Sequence, residues 1–421
     1  MCCMSDKKVK KIVVLMRHGI RAPNQTMQKL TEWSKREWPV WSVPPGHLTE
    51  RGRELLKAFW EQYRIQEPFK SLLFGDNSCI TLNDVFIHAD ISERTQASAA
   101  VFASTIAPEC ELPYFITTNK ELDPVYHPVR GAVCKSSRGK AENEISTLVE
   151  TSFSKLAEKY SDQLNFVNEL LGPIPKVTCQ GYGIDDTCQL IDLPARVNFA
   201  NSGRTINLRG AMGIKATLIQ NWLLESAEWP DRDPGWGLIT PDRLSELLVA
   251  RSAIFNFLNR VDGYSRDRGS AILNDIAGAV SGTHYDPKVN EAKLVMYMGH
   301  DTNMAHISEL LGFEWDLDGW AYNDIPPGSF LQFTLWEKSA GQEVVTAEFI
   351  AQPLNVMRSA SPDQVLPYFI KKELSFKPQS KGASSTGESE YSVERFGDVV
   401  QDVINSDCIP EMPLLTKGTL F

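Results

Sequence analysis

Three times in this chain an apolar run ends in charged residues just before a helical pattern. The first run is Ile12 to Met16, followed at once by Arg17, His18 and Arg21. The second is "DVFIHAD" (84–90), followed by Glu93 and Arg94 inside "SERTQASAAVFASTIAP" (92–108). Ser92 is the expected cap of that helix and Pro108 its stop. The third is "KLVMYMGHD" (293–301), which ends in His300 and Asp301. After it, Met304, Ile307, Leu310 and Leu311 recur at helical spacing until Gly312. Unbroken apolar runs suit parallel strands covered on both faces. The repetition therefore predicts an α/β fold with an open sheet, whose ligands gather at the carboxyl ends of the strands. The second and third helix starts also offer unpaired N–H groups suited to an anion.

The rest of the chain fits around that sheet. "HLTERGRELLKAFWEQYR" predicts a helix capped by Thr49, with Leu55, Leu56, Phe59, Trp60 and Tyr63 on one face. From about 135 to 255 the pattern changes to longer helices, such as "ENEISTLVETSFSKLAEKY", broken by "GPIPK" and "DRDPGWG". A mainly helical domain, 135–255, inserted between two parts of an α/β domain, 9–134 and 256–421, is expected. "PPGSFLQFTLWEK" and "EVVTAEFIA" suggest a strand pair, and "SKGASSTGESE" (380–390) a polar loop.

Charge and cysteines narrow the partners. A net charge of −10 argues against a nucleic-acid or anionic-membrane surface. An anionic substrate would need a local basic pocket in this acidic body. No stretch approaches the roughly 18 apolar residues of a membrane span. Ile12–Met16 is also too short for a signal-peptide core of about 7–15 residues, so a signal removed or never present is expected. None of the cysteines forms C-x-x-C, which argues against a zinc ribbon or a thioredoxin-like site. Cys179 and Cys188 flank a turn-rich stretch and could close a short loop, or remain buried thiols in a cytosolic protein. The spread of cysteines tilts the reading towards an oxidising compartment.

Brought to one sheet edge, Arg17, Arg21, Arg94, His18, His300 and Asp301 suit a tetrahedral dianion. Guanidiniums grip phosphate oxygens bidentately and hold their charge at working pH. His18 is the candidate nucleophile. Its arginine neighbours disfavour imidazolium, so the ring can stay neutral in acid and attack phosphorus. Gly19 is expected to let the backbone turn tightly behind it. Asp301 is the candidate donor of a proton to the leaving alkoxide. Burial and a bound dianion would raise its pKa and the arginines would lower it, a balance that sequence leaves open. An acid pH optimum would follow.

The remaining histidines carry blander expectations. His88 belongs to a strand core, His306 packs on a helix, and His47, His127 and His284 lie in loops. A His88-x-Asp90 metal site lacks further ligands, so neither metal nor cofactor is expected.

Arg17-His18-Gly19-x-Arg21-x-Pro23 with the late pair His300-Asp301 resembles the histidine acid phosphatase family, a branch of the phosphoglycerate-mutase-like superfamily. The resemblance is greatest to the bacterial periplasmic phytase and acid phosphatase group. It extends through "GHLTERG", "DPGWG", "GHDTN" and "PPGSFLQF", in the same order, from about residue 10 to 410. It implies a phosphoglycerate-mutase-like α/β domain with a helical insertion, and hydrolysis through phosphohistidine. By that resemblance Arg17, Arg21, Arg94 and His300 hold phosphate, His18 attacks, and Asp301 donates. It also implies the disulfides Cys79–Cys110, Cys134–Cys408 and Cys179–Cys188, with a fourth pair of the group missing here. A periplasmic or secreted monomer acting on a small phosphorylated substrate follows, with a cytoplasmic location left open.

One departure concerns the substrate. Phytases of that group usually continue the motif with Thr-Lys, whereas this chain has Asn24 and Gln25. Losing that ammonium removes a contact worth about 1–3 kcal/mol to a distal phosphate. Arg266, Arg268 and Thr302 are further candidates for the pocket wall. "GHDTN" favours the phytase-like side over glucose-1-phosphatases, which tend to carry Ser after His-Asp. A sugar-phosphate phosphatase, a phosphotransferase on the same scaffold and a non-catalytic phosphate binder are the alternatives. The last would more readily have lost His18 or Asp301.

Overall fold

The computed structural model describes residues 7–74, 80–81, 83–134, 138–200, 205–339, 341–359, 368–377 and 387–419. Its strands, in chain order, are β1 (Lys7–Arg17), β2 (Val85–Ala89), β3 (Phe115–Thr117), β4 (Arg196–Ala200), β5 (Thr205–Arg209), β6 (Leu294–Gly299), β7 (Phe330–Lys338), β8 (Glu343–Ala351), β9 (Ile370–Leu374), β10 (Glu390–Ser392) and β11 (Leu415–Lys417). Among the described residues, nine strands form one sheet in the order β10-β8-β7-β1-β6-β2-β3-β11, with β9 also on β8. β1, β6, β2 and β3 run parallel, while β7 lies antiparallel against β1 and turns the sheet mixed.

β1 is central because its sequence is apolar on both faces. Ile12 to Met16 are fully buried. Val13 and Leu15 enter the core shared with the helices Asp262–Ser281 and Asp301–Leu311. Ile12, Val14 and Met16 enter the opposite core, beneath Glu50–Tyr63 and Glu93–Ile106. Each such side chain contributes about 1.5–3 kcal/mol by leaving water, so a charge anywhere in the run would break the sheet at its middle. Thr49 caps Glu50–Tyr63 by accepting from the Gly52 amide at 3.0 Å, and the predicted apolar face is buried. Gly312 ends Asp301–Leu311 in the left-handed region, at φ 67°. A Cβ there would also lie 2.0 Å from the Lys377 carbonyl oxygen.

Register brings the three charged edges to one level. Met16 and Ala89 both pair with Met298 of β6. The His18 amide then donates to Gly299 O at 3.2 Å and the Asp90 amide to Met298 O at 3.1 Å. Between Arg138 and Asn259 the chain forms helices and the separate β4–β5 hairpin, whose strands pair only with each other among the described residues.

Cys134–Cys408 and Cys179–Cys188 are disulfides. Cys79 lies outside the described residues, as does the 380–390 loop up to residue 386. No described helix is long and apolar enough to cross a membrane.

Candidate active site

A cavity of about 480 Å³ opens at the carboxyl edge of β1, β2 and β6, lined by His18, Arg21, Asn24, Arg94, His300, Asp301 and Thr302 among others. Arg17 lies beneath Asp301, with Nη2 3.1 Å from Oδ2. Sequence-distant charges thus converge because three parallel strands end together.

His18 is held in one tautomer. Its Nδ1 lies 2.9 Å from Gly19 O. A carbonyl can only accept, so Nδ1 carries the hydrogen and Nε2 keeps its lone pair. Burial, then Arg94, Arg17 and Arg21, push its pKa well below the usual histidine value. The arginines are legible in the sequence, but burial is the larger cause. Gly19 also differs from expectation. Its φ is not positive, and a Cβ would lie 2.7 Å from Leu56 Cδ1. Close packing demands the glycine here, and its amide donates to Ser98 Oγ at 3.1 Å.

The guanidiniums are partnered only in part: Arg17 Nη1 donates to Ile325 O, Arg21 Nη1 to Ala22 O and Arg94 Nη2 faces His300 Nδ1. The Nε atoms of Arg17, Arg21 and Arg94 are each buried and lack a protein partner. Buried unpaired donors are costly, and those of Arg21 and Arg94 on the cavity wall, with Arg17 beneath Asp301, mark a place for an acceptor-rich anion. Burial lowers Arg17 to about 10 and Arg21 to about 9, so both remain cations in neutral or acid solution.

His300 bridges two elements. Its Nε2 lies 2.7 Å from Asp90 Oδ2, and Arg94 Nη2 lies 3.4 Å from its Nδ1. This geometry sets Nε2–H as donor and Nδ1 as acceptor. Burial lowers its pKa to about 4, with Asp90 offsetting part of the effect. Burial alone would raise the Asp301 carboxyl. The cations Arg17 and Arg251 outweigh it and hold the group at about 2. That settles, for the protein alone, the balance the sequence left open.

Several residues fall elsewhere than expected. Asn24 and Thr302 line the cavity, while Gln25 lines a neighbouring one and accepts from Asn221 Nδ2 at 3.1 Å. Arg268 borders a third cavity, stacked 3.7 Å above the Tyr264 ring. Arg266 lines none of these three and faces Asp262 one turn back, at 3.6 Å. Glu93 serves the scaffold, accepting from the Leu48 amide at 2.8 Å. His88 does not join Asp90 in a metal site; it pairs with buried Asp123 at 2.8 Å.

Three residues escaped the sequence argument. His127, expected as a plain loop residue, packs its ring against that of His300, tilted by 33° at 5.4 Å between centroids, and lies 3.6 Å from Asp90. Asp90, His127 and His300 bring ligand atoms within 4.8 Å of one another, a spacing a metal ion could use. Arg251 sits mid-helix in Pro241–Asn259 with Nη2 3.6 Å from Asp301 Oδ2. Asp324 anchors it at 2.6 Å. Nothing in the local pattern of that helix distinguishes Arg251 from a surface arginine.

The family model of the histidine phosphatase superfamily (branch 2) matches residues 8–171 and 235–349. Phytase AppA of Escherichia coli is 28% identical over 368 residues, covering 85% of this chain and 84% of that protein. Glucose-1-phosphatase of Providencia rettgeri is 24% identical over 360 residues, covering 84% and 83%. The Hafnia alvei phytase in complex with tartrate superposes with a TM-score of 0.84 at 27% identity, over 96% of this chain and 99% of that one.

Proposed function

The chain belongs to branch 2 of the histidine phosphatase superfamily, and from that premise we propose that it is an acid phosphatase in which His18 takes phosphoryl groups from phosphomonoesters. The observation that carries this is the tautomer of His18. With Nδ1–H given to Gly19 O, Nε2 is the nitrogen left to attack inside an arginine-walled cavity.

The substrate phosphoryl group rests on Arg17, Arg21 and Arg94. The incoming phosphoryl group draws Arg94 from His300 Nδ1 and favours a proton there, with Asp90 holding the resulting cation. His18 Nε2 forms a bond to phosphorus as the ester P–O bond breaks. The leaving oxygen takes a proton from Asp301. Water then attacks phosphorus, returning a proton to Asp301 while the P–N bond breaks and phosphate leaves. Asp301 is ionised in the free protein, so its proton must arrive with the substrate. A phosphate monoanion, the dominant form in mild acid, brings one. Bound phosphate also offsets the cations that hold Asp301 down.

For substrate, our reading is phosphomonoesters that include phytate, in keeping with relatives named phytase. Neutral Asn24 and Gln25 beside the cavity favour a second reading, a sugar-phosphate phosphatase like the relatives named glucose-1-phosphatase. We read residues 135–255 as a helical domain forming one wall of the cleft. Two disulfides support an oxidising, periplasmic or secreted setting. One chain carries every residue of the cycle, so a monomer suffices.

A panel of phytate, glucose 1-phosphate, nucleotides and p-nitrophenyl phosphate at pH 4–6 tests this. Hydrolysis of several, with phytate among the best, supports the first reading. Restriction to glucose 1-phosphate supports the second, and no hydrolysis of any rejects both.

A further inference from the structure

In sequence Asp90 stands beside His88 with no further ligand near it, but the fold gives it two other histidines. His300 Nε2 lies 2.7 Å from Asp90 Oδ2, and His127 Nε2 lies 3.6 Å from the same oxygen. One arrives from the end of β6 and the other from the loop after β3, so no spacing along the chain marks the set. Ser92 Oγ also donates to Oδ2, at 3.0 Å. The second oxygen, Oδ1, is buried and has no protein partner. A buried carboxylate oxygen left without a donor is costly, which points to a ligand.

One ligand atom from each of Asp90, His127 and His300 lies within 4.8 Å of the other two. The ligands of a tetrahedral zinc ion stand roughly 3.3 Å apart, so side-chain shifts of about 1 Å close the set. Two imidazoles and one carboxylate suit a borderline divalent cation, whereas magnesium and calcium favour oxygen ligands. The His127 side chain is 18% exposed and lines the catalytic cavity, which gives an ion its way in.

We propose that Asp90, His127 and His300 form a binding site for a borderline divalent cation of the zinc type, and that this cation and a phosphoryl group strengthen each other's binding. The coupling runs through Arg94, whose Nη2 faces His300 Nδ1 at 3.4 Å. A cation on Nε2 displaces the hydrogen there, and the neutral ring carries its hydrogen on Nδ1 instead. Two donors then face each other, so Arg94 turns to the cavity, where a phosphoryl oxygen accepts from it. Phosphate requires the same movement of Arg94. Coupling of this kind is reciprocal, so each ligand tightens the other by the same factor. The coupling rests on the phosphatase reading above; the metal site does not.

The full chain, stripped with a chelator, is titrated with zinc chloride by calorimetry beside His127→Asn. Wild type should bind zinc about tenfold or more tightly than the variant, whose metal-free melt should match. No zinc binding, or equal binding by the two, overturns the site. Magnesium binding as tight as zinc binding overturns the cation class. Independently of any variant, an anomalous map of zinc-soaked crystals should show an ion among the three side chains, and an ion found only elsewhere overturns the site. In zinc, KM for p-nitrophenyl phosphate should fall about threefold or more for wild type and stay level for His127→Asn. An unchanged or raised wild-type KM overturns the coupling. Wild type inactive towards p-nitrophenyl phosphate would overturn the phosphatase reading and the coupling with it, while calorimetry still decides the site.

Discussion

Arg17 Nη2 lies 3.1 Å from Asp301 Oδ2, and both groups are held at the carboxyl edge of the central sheet. Arg17 ends β1 and Asp301 begins the helix after β6, so the strand pair fixes their distance. The pairing keeps the proposed proton donor ionised until an anion arrives. Substrate binding and donor protonation thereby become one event.

Asp301→Asn keeps the shape and removes the transferable proton. Esters with poor leaving groups should slow by about 10²–10⁴-fold. First-turnover release of p-nitrophenol, a good leaving group, should fall far less. Stopped-flow comparison of the two classes checks this, and equal losses would remove Asp301 from the donor role.

Arg251→Gln removes a cation 3.6 Å from the Asp301 carboxylate. The Asp301 pKa should rise. The first step needs Asp301 protonated, so activity is lost as pH rises through that pKa. The alkaline limb of kcat against pH should therefore move to higher pH, since kcat reports groups in the complex. An unmoved limb, or one shifted to lower pH, would contradict this.

Buried His306 and His300 resist protonation in the fold, at about 3 and about 4, against 6.5 for an exposed ring. Below pH 6.5 the unfolded chain binds more protons, so stability falls as pH drops towards those values. Each such histidine contributes a slope of up to about 1.4 kcal/mol per pH unit. His306→Gln should flatten the decline in denaturant melts between pH 6.5 and 4. Parallel curves for the two proteins would show that His306 does not contribute.

The α/β architecture was legible because strands buried on both faces must be apolar without interruption, as Ile12–Met16 are. Their charged ends were legible for the same reason: Arg17, Asp90 and His300 stand where the apolar run stops, although all three are buried. Arg251 was not, because its role depends on how one helix crosses the sheet edge, and helical periodicity carries no trace of that. His127 was hidden likewise, since a loop residue meets His300 only after the chain folds back. Gly19 was noticed for its flexibility, but its lack of a side chain is what Leu56 requires.

The central claim is a covalent phosphoryl group on His18. A phosphoramidate bond hydrolyses in acid and survives alkali, so radiolabelled p-nitrophenyl phosphate should be mixed with enzyme, quenched in alkali and mapped by peptide. The expected label lies on His18, is released by mild acid and is absent from His18→Ala, which still binds inorganic phosphate. Label on serine or aspartate, or near-normal hydrolysis by His18→Ala, would contradict the account.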